Sequence, residues 1–427
     1  MKKRNNIFIS ILLAMVIFPV TTWSFTATSI QGVFDENNTK EVKVTPDDCT
    51  TDDQFGHAVD VSGNFAIVGA YGNDDRAQNA GAAYMLSFDG KFWGPAQKLS
   101  ASDAEAFDFF GFSVAMDRNY AIIGAYGDDD HGNKSGAAYI FAKNDNDFWY
   151  EFAKVNPTGS MPSDYFGCSV DISGKYMIVG AYGARDNGND SGAAYIFKRD
   201  SSGVYQQQKL IAGDPEPLNY FGYSVSISGD YAIVGAYGKK YRGDRSGAAY
   251  IFKRVGNRWC QLIKLAPFDG SMNDYFGRSV AISGKYAIVG AIGRDEQGHD
   301  SGAAYIYKRS GFFWSRHVKI IHKNVSQNHC FGASVNISNE YAIIGAHGDN
   351  VNGQRTGAAY VYQLKRNTWN NIALFRPRDG ADGDCFGYSV AISGSQIIAG
   401  AYGNDENGDK SGAAYLYGLF SSYPNRQ

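Results

Sequence analysis

The chain has no surplus of positive charge. Forty Lys and Arg stand against 43 Asp and Glu, a formal net charge of −3. Without a basic excess, nothing in the composition would neutralise the phosphates of a nucleic acid. Proline is scarce, ten in 427 residues, while glycine reaches 51; that balance suits tight turns between short strands, not a disordered chain. Cysteine is sparse as well. Cys49, Cys168, Cys260, Cys330 and Cys385 show no metal-type spacing, and their odd number leaves at least one without an internal partner. Most read as small buried hydrophobes. The seven histidines are scattered, with His317 and His322 on one strand, so no metal centre is expected. Signatures of catalysis are missing: there is no Gly-x-Ser-x-Gly elbow, no phosphate loop and no His-Glu-x-x-His.

Long apolar runs are lacking beyond the N-terminus. There, Lys2, Lys3 and Arg4 precede an apolar segment from Ile7 to Val20, and Thr22-Trp23-Ser24 offers small residues before Phe25. At roughly 14 residues the segment is short for a membrane span, and the pattern predicts a cleavable signal peptide over 1–24. No cysteine follows that would suggest a lipid anchor. The protein is therefore expected to be secreted, periplasmic or at the cell surface, with no transmembrane span in the mature chain. A lead-in segment over 25–40, a repeat domain over 41–420 and a tail over 421–427 complete the expected organisation.

What the sequence does have is a repeat. The phrase Ser-Gly-Ala-Ala-Tyr-Ile-Phe, or a close variant, occurs seven times, each copy opened by a Phe-Gly pair at Phe55, Phe110, Phe166, Phe221, Phe276, Phe331 and Phe386. Successive copies lie 55, 56, 55, 55, 55 and 55 residues apart. So strict a period means one supersecondary unit used seven times and stabilised by its neighbours.

Within the copy at Phe276, Phe276 to Ser283 alternates apolar and small residues, which predicts a strand with Phe276, Arg278, Val280 and Ile282 on one face. A tight turn leads to Tyr286–Ala291, apolar throughout as in a strand covered on both faces. A ten-residue loop, then Ala303–Arg309 and Phe312–Ile321, supply two more strands. Four antiparallel strands in series predict a propeller blade, with the small Gly-Ser-Ala face of the first strand at the crowded centre. Trp93, Trp149, Trp259, Trp314 and Trp369 each lie seventeen residues before the next Phe-Gly and read as wedges between sheets; Val204 and Tyr205 take that place in the third copy. The last copy has no fourth strand, and Lys40–Val44 is spare at the start. Pairing with Ala413–Tyr417 would close the ring and remove its edges.

The order Phe-Gly, Gly-Ala, Gly-Ala-Ala-Tyr resembles the FG-GAP repeat family, known from the head propeller of integrin alpha subunits. The resemblance spans nearly all of the chain, in all seven copies. It implies an all-β, seven-bladed β-propeller and a role in adhesion or ligand binding through the loops of one face. Two departures matter. The family often carries a calcium loop between the first and second strands. Here that connection is Ser173-Gly174-Lys175, Ser228-Gly229-Asp230 or Ser393-Gly394-Ser395, too short to wrap an ion that needs about six to eight oxygens. The Gly-Ala-Pro signature has also become Gly-Ala-Tyr at Tyr71, Tyr126, Tyr182, Tyr237 and Tyr402, with Ile292 and His347 in the other copies.

Loops between second and third strands, and from each fourth strand to the next copy, should emerge on one side; they are long and varied. Binding is expected there. The inner loops are acidic, as at Asp74, Asp75, Asp128, Asp129 and Asp130, and a loop such as 405–412 offers at most a weak calcium site. The fourth loop reverses sign with Lys239, Lys240, Arg242 and Arg245. The candidate ligand-binding residues are Tyr71, Tyr126, Tyr182, Tyr237, Tyr402, Lys239, Lys240 and Arg242. The tyrosines either contact a ligand or pack between blades. The residues two before each Phe-Gly phenylalanine, namely Asp53, Asp108, Asp164, Asn219, Asp274, His329 and Asp384, read as backbone caps. The expected function is a non-catalytic, monomeric binding or adhesion module for an extracellular protein or glycan, with no cofactor. The alternatives are an enzyme acting on polysaccharide or lipid in the central channel, and a structural envelope or matrix protein.

Overall fold

The computed structural model describes residues 31–34, 40–201, 203–350 and 354–419; the expected signal peptide and tail lie outside them. Among these residues every regular element is a β-strand. They form seven antiparallel sheets, six of four strands and one of five, arranged as the seven blades of a β-propeller. We number the blades one to seven by the Phe-Gly pairs from Phe55 to Phe386. In blade five the strands are Phe276–Ser283, Tyr286–Ala291, Ala303–Ser310 and Phe313–Ile320.

The ring closes as the spare strand requires. Lys40–Val44 pairs antiparallel with Ala413–Gly418, Glu41 opposite Tyr417 and Val44 opposite Ala414. A further strand, Gln31–Phe34, lies outside it, Gln31 opposite Lys43. It falls in the stretch read only as a lead-in: four residues without strong alternation give a sequence no strand signal, and an open sheet edge supplies the pairing. Blade seven thus has five strands. Closure is repeated further in, where Phe55 bridges Gly412 as Phe110 bridges Gly81 and Phe276 bridges Gly247.

Seven hydrophobic clusters hold the molecule together, one between each neighbouring pair of sheets. The cluster between blades four and five contains Ile233, Ile251, Phe276, Val280, Val289 and Trp314. The five outer-strand tryptophans are all buried, each wedged against the preceding blade as the spacing predicts; Trp149, 1 % exposed, packs on the blade-one face of blade two.

The inner strand departs from simple alternation. Phe276 pairs with Ala291, the register then shifts, and Val280 pairs with Val289. The shift sits at Gly277, whose φ is +89°, a conformation that costs glycine little. Phe276, Val280 and Ile282 face the inter-blade cluster, while Arg278 is turned into the central channel. This corrects the expected common face of Phe276 and Arg278. Around the centre the blades approach backbone to backbone. A Cβ on Gly235 would stand 1.9 Å from the Gly277 carbonyl oxygen, and one on Gly69 1.9 Å from that of Gly111. The Ser224 hydroxyl donates to that same Gly277 oxygen at 2.8 Å, as Ser279 does to Gly332.

Candidate functional site at the channel mouth

Each connection into a blade is pinned to the inner loop of the blade before it. Tyr165 N–H donates to the Lys134 carbonyl at 3.1 Å, Tyr220 to Asp190 at 3.0 Å, and across the closure Gln54 to Lys410 at 3.0 Å. The long, varied loops therefore share one face. The pinned residue, just before each Phe-Gly, has positive φ in all seven blades: Gln54 (55°), Phe109 (57°), Tyr165 (53°), Tyr220 (53°), Tyr275 (53°), Cys330 (58°) and Cys385 (56°). That region is costly for side chains of this bulk, and it aims them at the channel mouth.

There they meet the tyrosines that end the second strands. Phe109 stacks on Tyr126 at 5.1 Å and 9°, Tyr165 on Tyr182 at 4.9 Å and 11°, and Tyr220 on Tyr237 at 5.0 Å and 10°. In four blades the residue after Phe-Gly closes edge-on on the tyrosine that follows the second strand: Phe112 on Tyr126 at 4.4 Å, Tyr223 on Tyr237 at 4.7 Å, Tyr388 on Tyr402 at 4.7 Å and His57 on Tyr71 at 4.6 Å. Such edge-to-face and offset contacts are the favoured aromatic geometries. Tyr71, Tyr126, Tyr182, Tyr237 and Tyr402 thus form one collar, half-buried. Tyr71 donates its hydroxyl to Gln54 Oε1 at 2.6 Å.

Inside the collar lies a cavity of about 360 Å³, to which every blade contributes the residue after its Phe-Gly: His57, Phe112, Cys168, Tyr223, Arg278, Ala333 and Tyr388. His347, just past the second strand of blade six, joins them. Burial pushes the His57 imidazole down to about 4; burial and then the Arg278 charge push His347 down to about 4. Both are neutral at physiological pH. His57 Nδ1 lies 3.2 Å from the Phe112 carbonyl oxygen, so it carries the proton of the neutral ring. Burial pushes the Cys168 thiol up to about 11. Sequence reasoning missed these residues. The signal was present: the third position of Phe-Gly-x-Ser-Val is His, Phe, Cys, Tyr, Arg, Ala and Tyr in turn, while its neighbours hardly change.

A second cavity, of about 620 Å³, opens between the outer strands of blades three and four, among Lys198, Tyr205, Gln206, Gln208, Asn257 and Arg258. It is larger, but it is a polar cleft between splayed sheet edges, with far fewer aromatic faces than the channel mouth. The channel is the more credible site.

The basic loop of blade four divides on inspection. Lys240, Tyr241, Arg242 and Arg245 are exposed, Lys240 paired with Asp244 at 2.7 Å. Lys239 is not: it is 2 % exposed, donates to the Asp214 carbonyl at 2.7 Å and pairs with Glu216 at 3.1 Å. This corrects its expected place on an exposed notch. Its equivalents face the residue two before Phe-Gly. Asn73 donates to Asp53 at 2.9 Å, Arg294 to Asp274 at 2.8 Å, and Asp349 lies 3.3 Å from His329. Where blade four has Asn219 instead of an acid, Lys239 turns to Asp214 and Glu216.

The acids two before Phe-Gly are the backbone caps expected of them: Thr50 N–H donates to Asp53 at 2.9 Å, Ser271 to Asp274 at 2.7 Å and Ala381 to Asp384 at 2.9 Å. The loop acids close turns. Asn79, Asp300 and Lys410 donate their N–H groups to Asp74, Asp295 and Asp405 at 2.6, 2.8 and 2.8 Å. Asp295, His299 and Asp300 bring potential ligand atoms within 4.8 Å of one another, on an exposed loop whose hydrogen bonds already account for their positions. Turns between first and second strands are two residues long, as at Gly174-Lys175 between Ser173 and Tyr176.

Fold and site together define a β-propeller with a ring of loops and an aromatic-lined mouth on one face. The chain belongs to the FG-GAP repeat family: the family's sequence profile matches residues 39–86, 93–141, 149–197, 204–252, 259–307, 314–362 and 369–417. With its seven blades it resembles the propeller of integrin alpha subunits. No curated protein matches the chain.

Proposed function

We propose that the protein is a non-catalytic binding or adhesion propeller that recognises an extracellular protein or glycan through its loop-rich face. One observation carries this reading. The positions that the repeat leaves unconstrained, from His57 to Tyr388, gather at the mouth of the channel, while the exposed Lys240, Tyr241 and Arg242 stand on a loop of blade four. The Phe-Gly before these positions is the same in all seven copies, so the repeat itself gives no reason for the variation. FG-GAP propellers are typically non-catalytic and often extracellular. Tyrosines give rigid contact area with a polar tip, and exposed cations beside them steer acidic partners. Export through residues 1–24 belongs to the same reading; a mature chain whose mass begins at Phe25 supports it, and a retained Met1 counts against it.

The test presents the full chain to a glycan array and to extracellular proteins in pull-down. Lys240→Glu with Arg242→Glu should weaken capture of an acidic partner about tenfold, the effect of 1.4 kcal/mol, and flatten its salt dependence. Lys175→Glu with Lys285→Glu, in turns on the opposite face, should change neither. Equal losses from both pairs would reduce the interaction to bulk charge.

A further inference from the structure

Arg278 stands out among the charged groups of the interior. It projects from the inner strand of blade five into the channel cavity, and among the described residues no carboxylate pairs with it. Its surroundings are Tyr223, with the ring centroid 5.8 Å from the guanidinium, the Tyr388 hydroxyl, Tyr237 and Cys330, and His347. None of these bears a negative charge at physiological pH. The buried cations among the described residues are paired: Arg294 with Asp274 at 2.8 Å, Lys239 with Glu216 at 3.1 Å, and Lys43 with Glu406 at 2.7 Å. Arg278 is half-buried, and a partly desolvated guanidinium with no counter-charge is left uncompensated unless something supplies one. His347, neutral, lines the same cavity.

We propose that the channel mouth binds an acidic sugar of the uronic acid class, its carboxylate on Arg278 and a ring face on the aromatic wall. This rests on the binding role proposed above and names its ligand. The planar guanidinium fork matches a carboxylate in two parallel hydrogen bonds. Tyr223, Tyr388 and Phe112 line it with aromatic rings, the two tyrosines adding hydroxyls, the mixture a pyranose ring needs. At about 360 Å³ the cavity lies at the small end of ligand pockets and suits one or two sugar units. A lone acidic side chain of a protein partner would leave most of it to water.

The experiment titrates the full chain with sodium glucuronate, glucose, sodium acetate and an acidic tripeptide, by calorimetry and ligand-observed NMR. Glucuronate should bind at least about tenfold more tightly than glucose or acetate, and Arg278→Gln should lose that preference; Arg278→Lys should recover part of it. Because Arg278 has no acidic partner to lose, Arg278→Gln should melt no lower than the wild type, and glucuronate should raise the melting temperature of the wild type alone. Unchanged glucuronate binding in Arg278→Gln overturns the site. Acetate binding as well as glucuronate overturns the sugar, and Arg278-dependent binding of the tripeptide alone reassigns the pocket to protein partners. If Lys240→Glu with Arg242→Glu leaves array and pull-down binding intact while glucuronate still requires Arg278, the loop-face reading falls and the pocket stands. The converse result leaves the loop-face reading and removes the pocket.

Discussion

Lys239 shows how far a residue's type can mislead about its place. In sequence it begins a run of basic residues in an otherwise acidic set of loops and reads as surface. In the structure its ammonium is enclosed by Asp214 and Glu216, and the sign of the blade-four loop begins with an internal substitution, Asn219 for an acid. Lys239→Glu would place a third carboxylate there with only Lys264, already paired with Asp214 at 2.8 Å, to meet it. It should cost at least about 3 kcal/mol, as breaking a buried pair does, whereas Lys240→Glu, on an exposed pair, should stay within about 0.5 kcal/mol. Urea melts of the two variants check this; equal midpoints would mean Lys239 is as accessible as its neighbour. The exchange between positions twenty apart was in principle readable by aligning the seven copies, as in Asp274 with Arg294 and His329 with Asp349. Which of two charged neighbours points inward was not, because both lie in a loop without periodicity. The seven variable channel residues escaped for a related reason: the register shift at Gly277 breaks the alternation that would have separated Arg278 from Phe276.

Among the elements, the inner strands carry the contacts that set how blades meet. Asp60 accepts the Met116 N–H of the next blade at 2.7 Å, and Asp171 accepts that of Ile227 at 2.7 Å; Ser226 takes the same part for Ile282 at 3.2 Å. Burial, then the Asp171 charge, pushes the Asp60 carboxyl up to about 7, against the hydrogen bonds from Met116 and Val61. Burial pushes Asp171 up to about 6. An acid raised in the native state holds its proton more tightly folded than unfolded. The stability it contributes is therefore full below about pH 4 and is lost as pH rises toward 7. Asp60→Asn keeps an oxygen for Met116 and has no proton to lose. The variant should melt near the wild type at pH 4 and above it at pH 8. Acids such as Asp214 act in the opposite sense, burial there being outweighed by Lys264 and Tyr250, so the comparison is of variant with wild type at each pH. Parallel melting curves from pH 4 to 8 would show that Asp60 is ionised in the fold throughout. Strand type and order were legible from period and turn spacing; these inter-strand bonds were not, since Asp60, Ser226 and Ala281 share a position with no common chemistry.

At the scale of the whole molecule, closure depends on a few residues at the N-terminal end. Lys40–Val44 fills the fourth place in blade seven, where Val42 and Val44 are buried, Lys43 pairs with Glu406 at 2.7 Å and Tyr417 donates to Glu41 at 3.0 Å. Deleting residues 31–46 should bare the edge of Ala413–Gly418, lower the melting temperature by several degrees and promote association through the exposed strand. Differential scanning calorimetry with light scattering reads both effects; a truncated ring that melts like the full chain and stays monodisperse would mean closure rests on the inner bridges alone. This strand was legible because the last copy visibly lacks one. Gln31–Phe34 was not, because an added edge strand is specified by the edge it joins and not by its own pattern.

The family's unit and the blade are out of phase. Each matched segment starts in or beside the outer strand of one sheet and ends in or beside the third strand of the next, as 259–307 does between blades four and five. A unit duplicated or lost whole would therefore change the size of the ring without orphaning a strand, since every copy completes its predecessor. Copy number is then a dimension open to inheritance. In such a lineage it sets the bore of the channel, and with it the bulk of whatever the mouth admits.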